Sequence, residues 1–405
     1  MKNEYNDLHP YISRVIRNDR VTSNDHFQDV RLMSLSIDDS VSYNSTDVCV
    51  IYPQNSDEDV EMFLSMFSDD RFNAERKFRL KANSNCWISK KSYYYHLISA
   101  NNPCRVYDLV KIYLDIKSIP KRSFFDLFYR FSQNELERDK LKRFASGEDL
   151  DEFYDYVNRP KRTILEVMLD FPNTTPNVPF EYIFDLIPAI RPRPYSIASS
   201  PLVSPKSIDI LYSVVNYRTR LRKPRLGLCT NWMVSLENEA EVSIYIRPSS
   251  FQLPTPDSQA PLMMISAGTG VAPFRAFIHE RTHLILDNNY LFFGCRYSDR
   301  DYYLKEEWKT FIDKGLLNVY TAFSRDDPTR KVYVQHRLWD ERALVYRLLI
   351  ESNGHILVAG KSEQYPQLVR ETIVNIIKEF GKGDENAEAL VTRLETRRRI
   401  QYECW

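Results

Sequence analysis

The sequence predicts a multi-domain β plus α/β protein: an antiparallel β-barrel with a helical insertion, followed by a doubly wound parallel-sheet domain. Three observations carry this. Between about residues 10 and 100, short β-branched and aromatic runs alternate with polar turns: VRLMSLSI, DVCVIYP and the segment around Trp87 and Ile88 read as strands. From about 105 to 172 the period becomes helical. RVYDLVKIYLDI, SFFDLFYRFS, EDLDEFYDYVN and RTILEVMLDF place apolar residues three or four apart, with Ser123 and Thr163 available near helix starts. Strand texture returns in PYSIASSP, IDILYSVV and AEVSIYIRP, which completes the interrupted barrel. Beyond the turn-forming linker FQLPTPDSQAP, the apolar runs PLMMIS, YLFFGC, LNVYTAF and HILVAG alternate with helical candidates. These candidates are VAPFRAFIHER, YLKEEWKTFIDK, ERALVYRLLIES and QLVRETIVNIIKEF, and such alternation makes βαβ units and a parallel sheet.

Composition narrows the function. The chain has 405 residues, enough for two or three domains, and 55 basic side chains balance 55 acidic ones. No global field gathers nucleic acid or anionic lipid, so binding is local. The N-terminus is polar, and no run reaches the ~18 apolar residues of a membrane span. A soluble, cytoplasmic protein is expected. The basic run Arg397, Arg398, Arg399 reads as a solvated helix face rather than a nucleic-acid contact. Six scattered cysteines form no disulfide framework, and seven histidines show no zinc-like spacing, so no metal is expected.

Only 10 glycines occur, none before Gly147, whereas ordinary usage of about 7% would give about 28. Their positions are therefore informative. In MMISAGTGVAPFRAF, Gly268, Thr269 and Gly270 lie between a buried strand and a helix, where small residues let backbone N–H groups approach a pyrophosphate. Ala272 and Pro273 stand where the full dinucleotide fingerprint has its third glycine. After the third strand of this domain come Ser324 and Arg325, then Lys331, Val332, Tyr333, Val334 and Gln335. Arginine at that strand end suits a 2′-phosphate, hence NADPH rather than NADH. Upstream, in IRPRPYSIASSP, Arg193, Tyr195 and Ser196 are expected on one face of a strand: a guanidinium for phosphate, a ring for stacking, a hydroxyl for a hydrogen bond. RLGLCTNWM supplies a small-residue turn, Gly227, Leu228, Cys229 and Thr230, suited to another phosphate oxygen.

With YLDIKSIPKRSFFDLF, NRPKRTILEVMLDFP, LFFGCRYSDRDYYLKEEW and the ending QYECW, these motifs in this order resemble the FAD/NADPH half of the diflavin reductases. These belong to the ferredoxin–NADP reductase superfamily, and the likeness is greatest to the NADPH-dependent diflavin oxidoreductases. It covers residues 10–405. The resemblance implies an FAD-binding barrel over 1–104 and 186–253, a helical connection over 105–185 and an NADP(H)-binding domain over 258–405. By it, Arg193, Pro194, Tyr195, Ser196, the turn Gly227 to Thr230, Lys161 and Arg162 would contact FAD. Gly268, Thr269, Gly270, Arg296, Ser324, Arg325 and Lys331 through Gln335 would contact NADP(H). Trp405 would cover the flavin ring where nicotinamide arrives, Ser196 would bond near flavin N5, and Glu403 takes the place of the family's near-terminal acid.

The implied reaction is hydride transfer from NADPH to FAD, with single electrons passed onward. In the family they go to a flavodoxin-like FMN domain and then to an iron–sulfur protein of cytosolic cluster assembly. No FMN-type phosphate loop is legible here, so FMN is not expected on this chain and a flavodoxin-like partner in trans is. The cytochrome P450 and methionine synthase reductases, or a silent binding relative, remain alternatives of the same fold. Ala359 stands where the related microsomal reductases have cysteine, and alanine there resembles the pattern of the closer subfamily. The chain departs from the family pattern at Lys361, where an acid or amide is usual, at Leu368, where aspartate is, and at Thr46, where glycine precedes Asp47 in a turn that threonine is expected to strain.

Overall fold

The computed structural model describes residues 5–7, 9–80, 103–254, 259–381 and 386–405. The expected strand at Trp87 and Ile88, with Cys86, Gly383 and part of the linker, lies outside the described residues. The chain divides into two compact units, one of Met1–Ile51, Pro194–Val214 and Leu236–Trp405, the other of Tyr52–Arg193 and Val215–Ser235.

The second unit is helical. Its helices include α1 (Asp57–Ser65), α2 (Arg122–Phe128), α3 (Glu135–Ser146), α4 (Ile164–Asp170) and α5 (Leu228–Ser235). The Ser56 side chain caps α1 by accepting from the Asp59 N–H, ahead of three first-turn acids that suit the helix dipole. Asn134 caps α3 in the same way, and Gly147, at φ 73°, ends it in the left-handed region. Thr163 and Glu166 exchange bonds in a capping box at the start of α4. Ser123 does not cap a helix: α2 opens at Arg122, so Ser123 lies inside its first turn, and the cap position, Lys121, makes no side-chain cap bond. Phe124, Phe125 and Phe128 of α2 pack with Phe144 of α3 and Phe153 in an aromatic core, because their three-and-four spacing puts them on one helix face. The wide turn Leu109–Tyr113 is held by buried Asn55, whose amide donates to the Val110 and Leu114 carbonyls at 2.7 Å each.

The first unit contains two sheets. Strands β1 (Tyr11–Arg20), β2 (Val30–Ser36), β3 (Val48–Ile51), β4 (Arg193–Ser196), β5 (Ser207–Ser213) and β6 (Glu241–Arg247) form a six-stranded sheet in the order β4-β3-β6-β1-β2-β5. The β1–β2, β2–β5, β1–β6 and β6–β3 pairs are antiparallel. The second sheet, in the order β9-β8-β7-β10-β11, contains β7 (Leu262–Ala267), β8 (Asn289–Cys295), β9 (Asn318–Phe323), β10 (His355–Gly360) and β11 (Ile400–Cys404). All its pairs are parallel. Its central strands are buried along nearly their whole length, as strands covered by helices on both faces must be. The covering helices include α6 (Ala272–His283), α7 (Lys305–Asp313), α8 (Val334–Asp340), α9 (Tyr365–Phe380) and α10 (Ala387–Thr396).

Three local expectations need correction. The basic run 397–399 is not a helix face: α10 ends at Thr396, Arg398 turns the chain with φ 55°, and the Arg399 guanidinium donates to the Gly354 carbonyl at 3.0 Å. Thr46 is not among the residues with positive φ, so its turn fits threonine without the expected strain. Arg193 and Tyr195 share one face of β4, but Ser196 points to the other, because strand side chains alternate. Cys49, Cys104, Cys229, Cys295 and Cys404 are free thiols.

Candidate cofactor sites

In the parallel sheet the chain leaves β7 toward β8 and β9 on one side and returns to β10 and β11 on the other. Loops therefore diverge at the carboxyl end of β7, where such sheets hold ligands. A cleft of about 500 Å³ lies there, lined by residues that include Gly268, Thr269, Ser324, Tyr333, Gln335 and Trp405.

The turn Gly268–Val271 shapes its floor and leads into α6. Gly268 adopts φ +57°, and a Cβ built on it would meet nothing within 4 Å, so the space above the turn is open. A Cβ on Gly270 would instead lie 2.6 Å from the Ala359 carbonyl carbon and 2.9 Å from the Gly360 Cα, so this glycine lets the turn sit directly on β10. An open backbone cradle at the start of a helix fits an anionic nucleotide phosphate.

The wall comes from the ends of β8 and β9. The Ser324 N–H bonds to the Cys295 carbonyl at 3.0 Å and the Arg325 N–H to the Arg296 carbonyl at 2.8 Å, which zips the two loops together. Asp301 accepts from the Arg296 and Tyr297 N–H groups at 3.1 and 2.6 Å and so fixes the loop after β8. Arg296 lines the cleft, but its guanidinium is engaged: it donates to the Gln28 side chain and lies 4.8 Å from the centre of the Phe27 ring. The Arg325 and Lys331 side chains are exposed and, among the described residues, make no hydrogen bond or ion pair. Lys331 lines a neighbouring groove with Arg330, Gln335, His336 and Trp339. Val332 and Val334 also line the cleft, whereas Gly270 is buried beneath it. The cationic donor set suits a phosphate-bearing ribose.

Trp405 follows β11, with its N–H on the Gly360 carbonyl at 3.0 Å, and remains 54% exposed at the cleft edge. Glu403 sits opposite Ala359 in the β10–β11 register and accepts from Ser249 Oγ at 2.9 Å. Burial holds its carboxyl above the usual glutamate range, against the opposing pull of Ser249 and Arg247. Lys361 reaches the cleft, but its ammonium pairs with Glu363 at 2.7 Å on the open surface. Leu368 is exposed on α9. Ala359 is fully buried, and Cys295 is a thiol at the cleft, with its titration pushed well up by burial.

On β4 the Tyr195 ring is half-buried and meets Tyr212 edge-on at 6.3 Å. Pro194 is exposed, and the Arg193 guanidinium donates to the Arg191 carbonyl at 2.6 Å.

Within the helical unit, the segment read as a small-residue turn is the start of α5. The Gly227 N–H bonds to the Val215 carbonyl at 2.9 Å, and the Val215 N–H to Thr230 Oγ1 at 3.0 Å. The Thr230 hydroxyl oxygen is thus an acceptor already, with its O–H left to donate. Cys229 is buried and Leu228 half-buried. Beside this turn, buried Arg225 bonds both Glu166 oxygens at 2.7 and 2.8 Å and the Pro160 carbonyl at 2.8 Å, while its Nη2 has no partner among the described residues. An orphan buried guanidinium nitrogen next to a helix start fits an anionic group such as a flavin pyrophosphate. Lys161 is exposed at φ 54°. Arg162 is bound into the fold, paired with Asp170 at 2.6 Å and 4.3 Å from the centre of the Tyr156 ring.

Sequence reasoning missed Gln28, Asp301, Tyr303 and Tyr365 as cleft residues. The only local signals were an acid six residues beyond a strand end and a tyrosine just before Pro366 at a helix start. Among the described residues no helix is long and apolar enough to cross a membrane.

Two family models match the chain: an FAD binding domain over residues 4–232 and an oxidoreductase NAD-binding domain over 264–370. Curated relatives are named NADPH-dependent diflavin oxidoreductase 1. That of Mus musculus is 42% identical over 98% of this chain and 66% of its own length. The Xenopus laevis protein is 40% identical over 98% and 65%, and that of Schizosaccharomyces pombe 34% over 96% and 65%. The chain thus spans just under two thirds of these relatives' length.

Proposed function

This chain belongs to the diflavin-reductase family of FAD- and NADP(H)-binding oxidoreductases, and from that premise we propose that it takes hydride from NADPH onto FAD and releases single electrons to an acceptor. The observation that carries the reading is the cleft at the carboxyl end of β7, where the open Gly268 turn, Ser324, Tyr333, Gln335 and Trp405 meet.

Bound NADPH and FAD supply the hydride chemistry, and the protein supplies binding and orientation. The Gly268–Val271 turn and the start of α6 hold the nucleotide pyrophosphate. Ser324, Arg325, Lys331, Tyr333 and Gln335 take the 2′-phosphate end, and the free cations among them favour NADPH over NADH. Pro194 and Tyr195 in the first unit are proposed FAD contacts, and so, in the helical unit, are Arg193 and the Gly227 to Thr230 turn with Arg225 beside it. Ser196 lies near the reacting ring position. Trp405, whose side chain is exposed at the cleft edge, would swing to admit nicotinamide. Glu403, opposite Ala359 in the β10–β11 register, would help balance charge as hydride moves.

The acceptor we propose is a flavodoxin-like FMN domain in trans, and beyond it an iron–sulfur protein in the cytoplasm. The two flavins in the relatives' name support the first, and family resemblance supports the second. Protein refolded with added FAD should stay yellow after desalting and reduce ferricyanide with NADPH. Loss of flavin, or no NADPH oxidation by the flavin-loaded protein, sinks the proposal.

A further inference from the structure

Arg275 is the one charged residue in the first half of α6, a helix whose residues from Ala272 to Ile278 are all buried. It is only 5% exposed. A guanidinium at such a place costs several kcal/mol unless its N–H groups are matched. Here they are. Nη1 donates to the Ala198 carbonyl at 2.6 Å and to Asp209 Oδ2 at 2.8 Å. Nε and Nη2 fork onto Glu307 of α7, at 2.8 Å to Oε1 and 3.1 Å to Oε2.

The partners are themselves fixed. Asp209, on β5, accepts from the Ser34 hydroxyl and lies 3.5 Å from the Arg17 guanidinium. His279 Nε2 is 2.6 Å from Glu307 Oε1. Burial tends to raise the Glu307 carboxyl, yet His279 and Arg275 hold it below the usual range. Further along α6, Glu280 accepts from the Ser45 hydroxyl and lies 3.5 Å from Ser200 Oγ. α6 therefore grips the segment after β4 at two points, Ala198 and Ser200. Ala198 lies two residues beyond Ser196, and Arg275 lies one helical turn beyond the Gly268–Val271 turn.

Stability alone does not account for this network, since apolar residues of similar volume often replace buried ion pairs without loss. What an apolar contact cannot do is fix direction and spacing, and misplacement of reacting groups by about 1 Å costs about 100-fold in rate. We propose that Arg275 is a positioning residue for hydride transfer, setting the distance between the nucleotide-holding turn and the Ser196 segment. This rests on the function proposed above.

The test uses the full chain with Arg275→Met, Arg275→Lys and Asp209→Asn. With FAD loaded, Arg275→Met retains flavin and its KM for NADPH, while the rate of flavin reduction falls about 100-fold. Arg275→Lys, which keeps the charge but loses the fork, recovers part of it. Should Arg275→Met not fold, Asp209→Asn carries the same expectation with a smaller loss. In cofactor-free protein, amide hydrogen exchange in Arg275→Met or Asp209→Asn rises at residues 197–200 and 268–271 and not in β8 or β10. An unchanged reduction rate, a rise in KM equal to the fall in kcat, or exchange that rises evenly through the unit overturns the proposal. If the unaltered chain neither holds FAD nor oxidises NADPH, the function proposal fails, and the exchange pattern still decides whether Arg275 clamps the two segments.

Discussion

Substituting Gly270→Ala probes the contact on which the nucleotide turn is built. The new Cβ would stand 2.6 Å from the Ala359 carbonyl carbon, about 0.8 Å inside the 3.4 Å where ordinary contact begins, and both partners are backbone. Neither can rotate away, so the turn must lift off β10 or the strand must bow. Overpacking of this kind costs about 1–3 kcal/mol. For a unit of this size that is a fall in Tm of about 2–4 °C per kcal/mol. The displaced turn also loses its phosphate cradle, and one lost charge-assisted bond of about 1.5–3 kcal/mol weakens NADP⁺ binding by about 10- to 100-fold. Gly268→Ala is the control. Its Cβ meets nothing within 4 Å, but φ +57° strains any side chain. Its expected cost is about 1–2 kcal/mol of backbone strain, with a smaller loss of binding. Differential scanning calorimetry gives the first quantity and titration with NADP⁺ the second. If Gly270→Ala melts and binds like the unaltered protein, the close packing of the turn on β10 is wrong.

Other substitutions test other parts of the account. Arg325→Ala should raise KM for NADPH about 10- to 100-fold through the loss of a charged phosphate bond, with KM for NADH nearly unchanged; equal effects on both coenzymes would remove Arg325 from the 2′-phosphate end. Thr163→Ala breaks the capping box and should cost about 1 kcal/mol in urea unfolding. Because Glu166 also holds Arg225, flavin retention should fall as well, and a loss of stability with full flavin retention would separate α4 from the FAD site. Burial raises the Glu403 carboxyl, so the native state favours its protonated form. That contribution is complete below the ordinary glutamate value and is lost as pH rises through the raised native value. Glu403→Gln should therefore flatten the stability profile over that window and stand above the unaltered protein at neutral pH, while lowering the rate of flavin reduction. A profile unchanged by the substitution would show that Glu403 ionises without cost.

Much of the fold was legible because its strongest patterns are physical extremes. The runs LMMISA and HILVAG are buried almost throughout, which only a strand inside a two-faced sheet permits. Thr163 and Glu166 stand at capping-box spacing. By contrast, β1 reads YISRVIRNDR, and its alternation is blurred by charges and by the register shift between Val15 and Arg17. α3 escaped notice because ELERDKLKRFAS buries only Leu141 and Phe144. At the cleft, the Gly268–Val271 turn is a local motif and could be read. The Arg296 pairing with Gln28 joins residues 268 positions apart, and no sequence window contains it. Arg275 was passed over for the same reason, since helical pattern does not show that its partners lie on β5 and α7.

Anaerobic titration of the FAD-loaded protein reads out whether this chain passes hydride from NADPH to its own FAD. One equivalent of NADPH should bleach the bound flavin, and NADH at the same concentration should do so far more slowly. Flavin that stays oxidised under NADPH, or is reduced equally fast by both coenzymes, would contradict it.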